Sequence, residues 1–499
     1  MTFTRPLRHR LCLAFIGFSL AVPAVAAAQG ATTPPEKPAA EGNTTAPAGS
    51  TAPPAGSPTA PAGNAAAPAS TTPEIAPGAV PAAPDAGAAP APSGTQPLPA
   101  LVPPVVVPAA PANPEVVPAP APPKKEEHWY DKLRIRGYTQ FRYNHFPSFD
   151  ENENLVNDQG DKSIGGDNGF FIRRARVILF GDVHEHVSIY LQPDFASAIS
   201  TQLNVAIMRD WYADLFIDKK KEFRIRVGQS KVPFGFENLQ SSQNRLPFDR
   251  SDGINSALKD ERDIGAFFYW APAEIRHRFK HLVDSGLKGS GDYGVVGFGV
   301  FNGQTANRIE RNDNRHVVGR VTWPFKFGEQ FVEIGAAGYY GKYNVNLVTQ
   351  GMTTYTLENG ENDLQDMRAV ASFVFYPQPI GFAAEYNIGR GPSQGTANPL
   401  VISTRDLQGG YAQAMVKIDD VFGTTLIPYG RYLYYEGGKK FEDNAPRYLI
   451  KEFEFGAEWQ IFKALEITAA YMFSDRTSSK FPYTQQQGQV TRLQVQVNY

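Results

Sequence analysis

The chain has 499 residues, and its 48 Lys and Arg against 50 Asp and Glu give a formal net charge of −2. This balance excludes the basic footprint of a nucleic-acid-binding protein. The single cysteine, Cys12, lies near the N-terminus, so the remaining chain has no thiol for a disulfide or a cysteine-ligated metal.

Residues 1–28 have the features of a secretory signal peptide. Basic residues at positions 5, 8 and 10 precede a short apolar stretch from Leu11 to Val22, and small residues at 26–28 offer a cleavage site before Gln29. No later apolar run reaches the length of about 18 residues that a spanning helix needs. We therefore expect an exported protein without a transmembrane helix.

Residues 29–123 are mostly Ala, Pro, Gly, Ser and Thr. Such a segment cannot bury enough apolar surface to offset the entropy of ordering, so we expect it to be disordered. Proline favours extended polyproline II conformations, which make the segment a semi-rigid periplasmic linker. The alternative is an arm that contacts the peptidoglycan of the cell wall.

From residue 124 onward, polar and apolar side chains alternate in segment after segment. The alternating segments include residues 133–143, 187–195, 210–217, 223–228 and 492–499. A β-strand places successive side chains on opposite faces, so each segment has one apolar and one polar face. In the first segment, for example, Leu133 and Ile135 lie opposite Arg134 and Arg136.

The connections between these segments alternate between short and long. The long polar connections are residues 144–169, 231–263, 302–314, 343–365, 390–405, 437–447 and 476–489. Short turns at one end and long loops at the other are typical of an outer-membrane barrel. Residues 124–499 therefore predict an all-β fold, a closed transmembrane antiparallel β-barrel of about 16 strands. The connection from Ala271 to Gly289 is long for a turn, and we expect it to hold a short helix.

The polar faces decide against a soluble alternative. A secreted β-sandwich or propeller would need inward faces of Leu, Val and Phe, whereas the second face here carries Arg, Gln, Asp and Tyr. A face this polar requires water, so we expect a wet lumen with lipid outside. The final strand ends in Tyr499 on the apolar face, a pattern similar to the signal that the outer-membrane barrel assembly machinery recognises.

Three stretches together resemble the phosphate-selective porin O/P family. They are RGYTQFRY in the first strand, FFIRRARVILFGDV in the second, and VGQSKVPFGFENLQSS from the fifth strand into the third long loop. The resemblance covers residues 133–499. It implies a sixteen-stranded trimeric porin with the third loop folded into the lumen. We therefore expect a homotrimer in the outer membrane of a Gram-negative bacterium, and we expect the N-terminal arm, which the resemblance does not cover, to lie in the periplasm.

The resemblance also implies where an anion filter lies. Arg173 and Arg174 match the family's paired arginines before the second strand. Two positions depart from the phosphate-binding members, because Tyr138 stands in place of an arginine and Asn238 in place of a loop lysine, although Lys231 is nearby. We therefore expect small anionic solutes to be preferred, with phosphate permeable but not tightly bound.

Arginine and lysine side chains on the polar faces are the candidate pore-lining and anion-binding residues, because rings of such residues select anions. The candidates are Arg136, Arg173, Arg174, Arg176, Arg224, Arg226 and Lys231. The alternative is that these side chains only solvate the wall and pair with Asp210, Asp214 and Glu454. Arg173 and Arg174 cannot both face the lumen in a regular strand, so we expect one at the strand's edge or in a loop.

Other motifs predict no cofactor, no metal site and no catalytic site. The glycines from Gly289 to Gly294 match a dinucleotide fingerprint by letters only, because a strand rather than a helix follows. His277 and His281 lack an evident third ligand. The acidic residues 151–169 could hold calcium, but we expect a mobile loop. No G-x-S-x-G motif is present, and we expect a protein that is not an enzyme.

Three functions remain open on these residues. The favoured one is an outer-membrane porin that passes small hydrophilic solutes by diffusion, with the loop at residues 231–263 narrowing the pore. The second is an envelope tether, in which the barrel anchors the Ala/Pro-rich arm. The third is a barrel hydrolase, for which no catalytic residues can be named.

Overall fold

The computed structural model describes residues 128–146, 169–199, 202–479 and 484–499. The strands are β1 (Leu133–His145), β2 (Gly169–His184), β3 (Val187–Ile199), β4 (Gln202–Phe216), β5 (Phe223–Lys231), β6 (Arg262–Trp270), β7 (Val296–Phe301), β8 (His316–Phe327), β9 (Gln330–Asn344), β10 (Thr356–Leu357), β11 (Asp363–Phe375), β12 (Ile380–Gln394), β13 (Val401–Val416), β14 (Ile418–Val421), β15 (Thr424–Gly438), β16 (Arg447–Phe462), β17 (Leu465–Ser478) and β18 (Thr484–Asn498). The helices are α1 (Phe236–Leu239), α2 (Asp252–Asn255) and α3 (Ala273–Asp284), with 3-10 turns at Trp129–Lys132 and Lys259–Glu261.

The strands form one closed antiparallel barrel. Each wall strand pairs with the next along the chain, and β1 pairs with β18 from Tyr138↔Asn498 to His145↔Thr491. The short strands β10 and β14 lie at the ends of the barrel, which leaves sixteen strands in the wall. The predicted fold class and strand number are therefore confirmed. Closure removes the unpaired strand edges that a membrane does not tolerate.

The apolar faces point outward and the polar faces inward, as the alternation predicted. Ile135 is 74 % exposed on β1, whereas Tyr138, three residues further along and on the opposite face, is 1 % exposed. At the C-terminus, Leu493 is exposed while Arg492 and Gln494 are buried. Among the described residues, no helix has both the length and the apolar character needed to cross a membrane.

Several long connections are shorter than we predicted, because the strands continue into them. β12 extends to Gln394 and β13 begins at Val401, and β17 extends to Ser478. Beyond the lipid both faces of a strand meet water, so its ends lose the alternation that marks a strand in the sequence. The acidic residues 151–168, for which we expected a mobile loop rather than a calcium site, lie outside the described residues, as do the predicted signal peptide and linker.

Among the connections that the structure describes in full, two enter the barrel. Residues 232–261, named here the inward loop, join β5 to β6 and contain α1 and α2. At the other end of the barrel, where the short turns lie, β6 and β7 are joined by α3 and by residues 285–293, named here the turn-end segment. The short helix expected in this connection is confirmed.

Candidate functional site

The inward loop is held against two separate parts of the wall. On one side, the Gln140 side chain on β1 donates to the Ser242 carbonyl at 3.2 Å, and Gln496 on β18 donates to the Gln243 carbonyl at 3.1 Å. On the other side, the Arg368 guanidinium on β11 donates to the Ser256 hydroxyl at 2.8 Å. The loop therefore spans the lumen.

A carboxylate on β12 caps the start of α1 in this loop. The backbone N–H groups of Phe236 and Glu237 donate to the two Glu385 oxygens at 2.5 Å and 2.7 Å, and the Tyr411 hydroxyl donates to the same carboxylate at 3.0 Å. Nearby, the Asn387 side chain donates to the Gly253 carbonyl at 2.7 Å. These bonds satisfy loop backbone groups that the barrel wall would otherwise leave buried without partners.

A β-bulge in β2 brings the paired arginines to the same side. Between β1 and β2, Gln140 pairs with Arg174 and the next residue, Phe141, pairs with Ile172, so Arg173 is the extra residue. Our expectation that one of the two arginines would lie at a strand edge or in a loop is wrong. Both lie within β2, because the bulge interrupts the strict alternation of a regular strand.

Three arginines surround one carboxylate of the inward loop, in a group named here the Asp249 cluster. The Asp249 Oδ1 atom lies 3.4 Å from Arg142 Nη1 and 3.9 Å from Arg173 Nη2, and its Oδ2 accepts from Arg492. Arg492 also lies 3.2 Å from Glu454. The cluster joins β1, β2 and β18 to the loop, and its arginines exceed its carboxylates in number.

The two other arginines of the second strand follow Arg173 along β2 and have different partners. Arg174 donates to Gln140 Oε1 at 2.8 Å, a neutral acceptor. Arg176 donates to Asp194 Oδ2 at 2.8 Å and to the Tyr138 hydroxyl at 2.9 Å. Tyr138, which replaces an arginine of the resembled family, therefore orients Arg176 rather than adding a charge.

The remaining candidates differ in their surroundings. Arg226 makes a bidentate pair with Asp214 at 2.7 Å and 2.8 Å. This pairing is the one predicted by our alternative, in which these arginines only solvate the wall. Arg224 lies 3.2 Å from Asp292 Oδ2, whereas Arg136 is exposed and lies over the Phe180 ring at 5.4 Å.

Lys231 and Asn238 both stabilise the inward loop by donating hydrogen bonds to its backbone carbonyls. The Lys231 ammonium donates to the carbonyls of Leu239 and Gln240 at 2.9 Å and 2.6 Å. The Asn238 side chain is fully buried and donates to the Ile254 carbonyl at 3.3 Å. Neither side chain supplies the open cation that the family's loop lysine would contribute to a filter.

A buried ion pair fixes the C-terminal base of the inward loop. Arg250 Nη1 lies 2.7 Å from Glu261, which also receives Arg262 at 2.9 Å. Burial lowers the pKa of Arg250 to about 9, although Glu261 opposes this effect. Burial disfavours the charged Glu261 carboxylate, yet Arg250 and Arg262 outweigh burial and hold its pKa well below the usual range. The pair therefore keeps its charges near neutral pH.

The turn-end segment also enters the lumen, which the sequence did not indicate. Gln240 and Asn244 of the inward loop donate to the carbonyls of Lys288 and Gly289 at 2.5 Å and 2.7 Å. The buried Lys288 ammonium pairs with Glu458 on β16. The glycines that match a dinucleotide fingerprint by letters thus lie in a loop followed by strand β7, in agreement with our dismissal of that motif.

Tyr499 closes the seam between the first and last strands. The Gly137 N–H donates to the Tyr499 carbonyl at 2.6 Å, and the Tyr499 N–H donates to the Gly137 carbonyl at 3.0 Å. The Tyr499 ring is 58 % exposed on the outer face. Within the described part of the chain, no group of three or more potential metal ligands comes together.

The family model of phosphate-selective porin O and P matches residues 151–499. No curated protein matches the chain. Among solved structures, the outer membrane channel DcaP of Acinetobacter baumannii has 10% identity and a TM-score of 0.46, with 74% of this chain and 97% of that chain covered.

Two further solved structures are similar at the same level. OmpF of Salmonella typhi in complex with daunomycin has 13% identity and a TM-score of 0.47 over 74% of this chain and 97% of that chain. An anion-selective porin from Comamonas acidovorans has 11% identity and a TM-score of 0.43 over 74% and 99%. These values are too low for a function to be transferred. The family model, by contrast, matches more than half of the chain, and the chain therefore belongs to the phosphate-selective porin O and P family.

Proposed function

We propose that the chain forms a water-filled outer-membrane channel through which small hydrophilic solutes diffuse, with a preference for anions. The Asp249 cluster carries this proposal. Among the described residues, this region holds four arginines, including Arg174 beside Gln140, and two carboxylates, Asp249 and Glu454. The excess positive charge lies where the inward loop meets the wall. Confined charges are screened less than charges in open water, so they attract anions more strongly.

The preference is broad rather than specific for phosphate. Phosphate is bound tightly by several convergent cationic donors. Here Tyr138 and Asn238 replace two basic residues of the resembled family's binding members, and Lys231 is engaged by loop carbonyls. Phosphate therefore passes without strong retention.

Several features of the complete protein belong to the same proposal. The channel is a homotrimer in the outer membrane of a Gram-negative bacterium, and it has no enzymatic activity. The outer-membrane barrel assembly machinery recognises its C-terminal strand. The Ala/Pro-rich residues 29–123 extend into the periplasm as a linker, and contact with peptidoglycan remains the alternative role for them.

A reversal potential measured in a salt gradient across a planar bilayer tests the preference. We expect the parent channel to favour chloride over potassium, and the triple variant Arg173→Gln, Arg174→Gln, Arg176→Gln to shift toward cation selectivity. The matched control replaces the exposed loop residues Arg308, Arg311 and Arg315 with Gln, which removes the same charge outside the lumen. Folding of every variant is checked by the mobility of unheated samples on a denaturing gel.

The outcomes separate the parts of the proposal. If the folded triple variant keeps the parent's reversal potential, these arginines do not determine selectivity. If submillimolar phosphate strongly blocks the parent's chloride current, the channel is phosphate-specific and the broad preference is wrong. If the purified protein forms no conducting pores, the channel function itself is wrong.

A further inference from the structure

A second region of the lumen has a different chemistry from the Asp249 cluster. A cavity of about 880 Å³ lies between the inward loop and the turn-end segment, against the inner face of β1 to β6. Eight basic and four acidic side chains line it, so the cavity is polar and favours anions. Its wall also exposes ring surface, which a channel for inorganic ions alone does not require.

Three aromatic rings on adjacent strands form a continuous row, of which Tyr190 and Tyr212 line the cavity and Phe180 extends the row beyond the lining. Phe180 on β2 lies 6.4 Å from Tyr190 on β3, and Tyr190 stacks on Tyr212 of β4 at 5.1 Å with an interplanar angle of 9°. The cross-strand register explains the row, because Phe180 pairs with Tyr190 and Tyr190 pairs with Tyr212. We name these three residues the aromatic row. Both tyrosines are half-buried, so part of each ring surface faces the cavity.

A guanidinium group lies at each end of the aromatic row. Arg136 on β1 lies over Phe180 at 5.4 Å, and Arg226 on β5 lies over Tyr212 at 3.8 Å. The two arginines differ in their counter-charges. Arg226 is paired with Asp214, whereas exposed Arg136 makes no ion pair among the described residues. Arg136 therefore offers an open cation beside a ring surface.

This combination fits one class of solute. An aromatic carboxylate can place its ring against the tyrosines and its charge beside Arg136, and each contact lowers the free energy of the complex. Acetate or chloride can use only the charge. We propose that the aromatic row, with Arg136 and Arg226 at its ends, is a binding site for aromatic carboxylates on their way through the channel. This inference rests on the proposed channel function.

Block of the single-channel chloride current by benzoate tests the site in the purified parent channel. Benzoate should reach half-block at a concentration about tenfold below that of acetate, since ring contacts contribute on the order of 1 kcal/mol or more. A channel that conducts and prefers anions but responds equally to benzoate and acetate would overturn this inference alone. Failure to conduct would instead overturn the proposed function.

Variants locate the site within the lumen. We expect Tyr190→Leu to weaken benzoate block about fivefold without changing acetate block, and Tyr190→Phe to retain it, because only the ring is needed. Arg136→Gln should weaken benzoate block similarly. The matched control is Arg134→Gln, two residues earlier on the same face of β1 and outside the cavity lining. If Arg134→Gln weakens the block as much as Arg136→Gln, or if Tyr190→Leu leaves it unchanged, the carboxylate binds elsewhere.

Discussion

One additional residue in β2 changes which arginines reach the pore. In a strand without a bulge, Arg173 and Arg174 would lie on opposite faces, and Arg173 would be exposed to lipid at considerable cost. The bulge at Arg173 removes this conflict, and the side chain reaches Asp249. A bulge thus re-aims a side chain at the point where the channel is narrowed, as bulges commonly do next to functional sites.

The seam between the first and last strands depends on the absence of a side chain at Gly137. A Cβ atom there would lie 2.4 Å from the Arg176 carbonyl oxygen and 2.4 Å from the Tyr499 ring. We expect Gly137→Val to lower the free energy of unfolding by about 2 kcal/mol through overpacking. The measurement is the denaturant midpoint of the refolded barrel. The control is Gly319→Val on β8, where an added Cβ meets nothing within 4 Å; equal losses in both variants would contradict the steric explanation.

The inward loop is positioned by its contacts with the wall, both apolar packing and charge pairs, rather than by its own secondary structure. Three apolar side chains of the loop are buried in the main apolar cluster of the lumen, namely Phe234, Phe236 and Ile254. The helices of the loop have only four residues each, so they are not stable alone. Its carboxylates instead face basic residues of the wall: Glu237 lies 2.7 Å from Arg431, and Asp252 lies 3.4 Å from Lys439. Such pairs hold the loop across the lumen only while both partners remain charged.

Removal of one cap should loosen this loop. Glu385→Ala deletes the acceptor for two backbone N–H groups at the start of α1, and we expect a local loss of about 2 kcal/mol in docking stability. Single-channel recordings should then show larger current noise and a higher mean conductance. The matched control is Glu361→Ala, which removes an exposed carboxylate from a loop. If Glu385→Ala has the same current noise and mean conductance as the parent, the Glu385 carboxylate is not needed to hold the loop in place.

The ion pair between Arg250 and Glu261, at the C-terminal base of the inward loop, allows a prediction of how the channel responds to acid. Because its folded-state pKa is lowered, Glu261 contributes stability that is present above its ordinary pKa of about 4 and is lost as pH falls below it. We expect the contribution of the Arg250–Glu261 pair to the open-channel noise to be constant from neutral pH down to about pH 5. Glu261→Gln should be noisy already at neutral pH. A steep rise in parental noise between these two pH values would assign the sensitivity to another group.

Closure stabilises the whole barrel, because the first and last strands along the chain pair with each other at the seam. β1 pairs with both β2 and β18, so the wall is complete only when the last strand has been added. Tyr499 adds the final pair of backbone hydrogen bonds to this seam and places its ring on the outer face. Its position accords with the lipid-facing role predicted for the terminal aromatic.

Changes at the last residue therefore test assembly of the complete molecule. Tyr499→Asp should sharply reduce the amount of barrel that runs faster unheated than boiled on a denaturing gel, while export is retained. Tyr499→Phe keeps the ring and loses only the contacts of the hydroxyl with the Thr139 hydroxyl and the Arg176 carbonyl, both at 3.4 Å, so it should assemble normally. Parental amounts of folded Tyr499→Asp in the outer membrane would contradict the proposed role.

Much of the fold could be predicted because lipid and water impose opposite requirements on the two faces of every wall strand. Alternation at residues 133–143 and 492–499 was sufficient to assign outward and inward faces correctly. The ends of β12, β13 and β17 could not be predicted as well, because outside the lipid this requirement no longer acts. The helix α3 was indicated by a connection too long for a turn, but its turn-end segment carried no signal of its place in the lumen.

The candidate site contains contacts that the polar–apolar pattern within a single strand cannot predict. Alternating polarity, together with the alternation of short and long connections, was enough to predict the barrel. Within a single strand the alternation also predicted which face is polar and inward and which is apolar and outward. The bulge at Arg173, the three arginines around Asp249 and the row from Phe180 to Tyr212 depend on the register between strands and on the path of the inward loop. Such contacts join residues far apart in the chain, so only the closed barrel could bring them together.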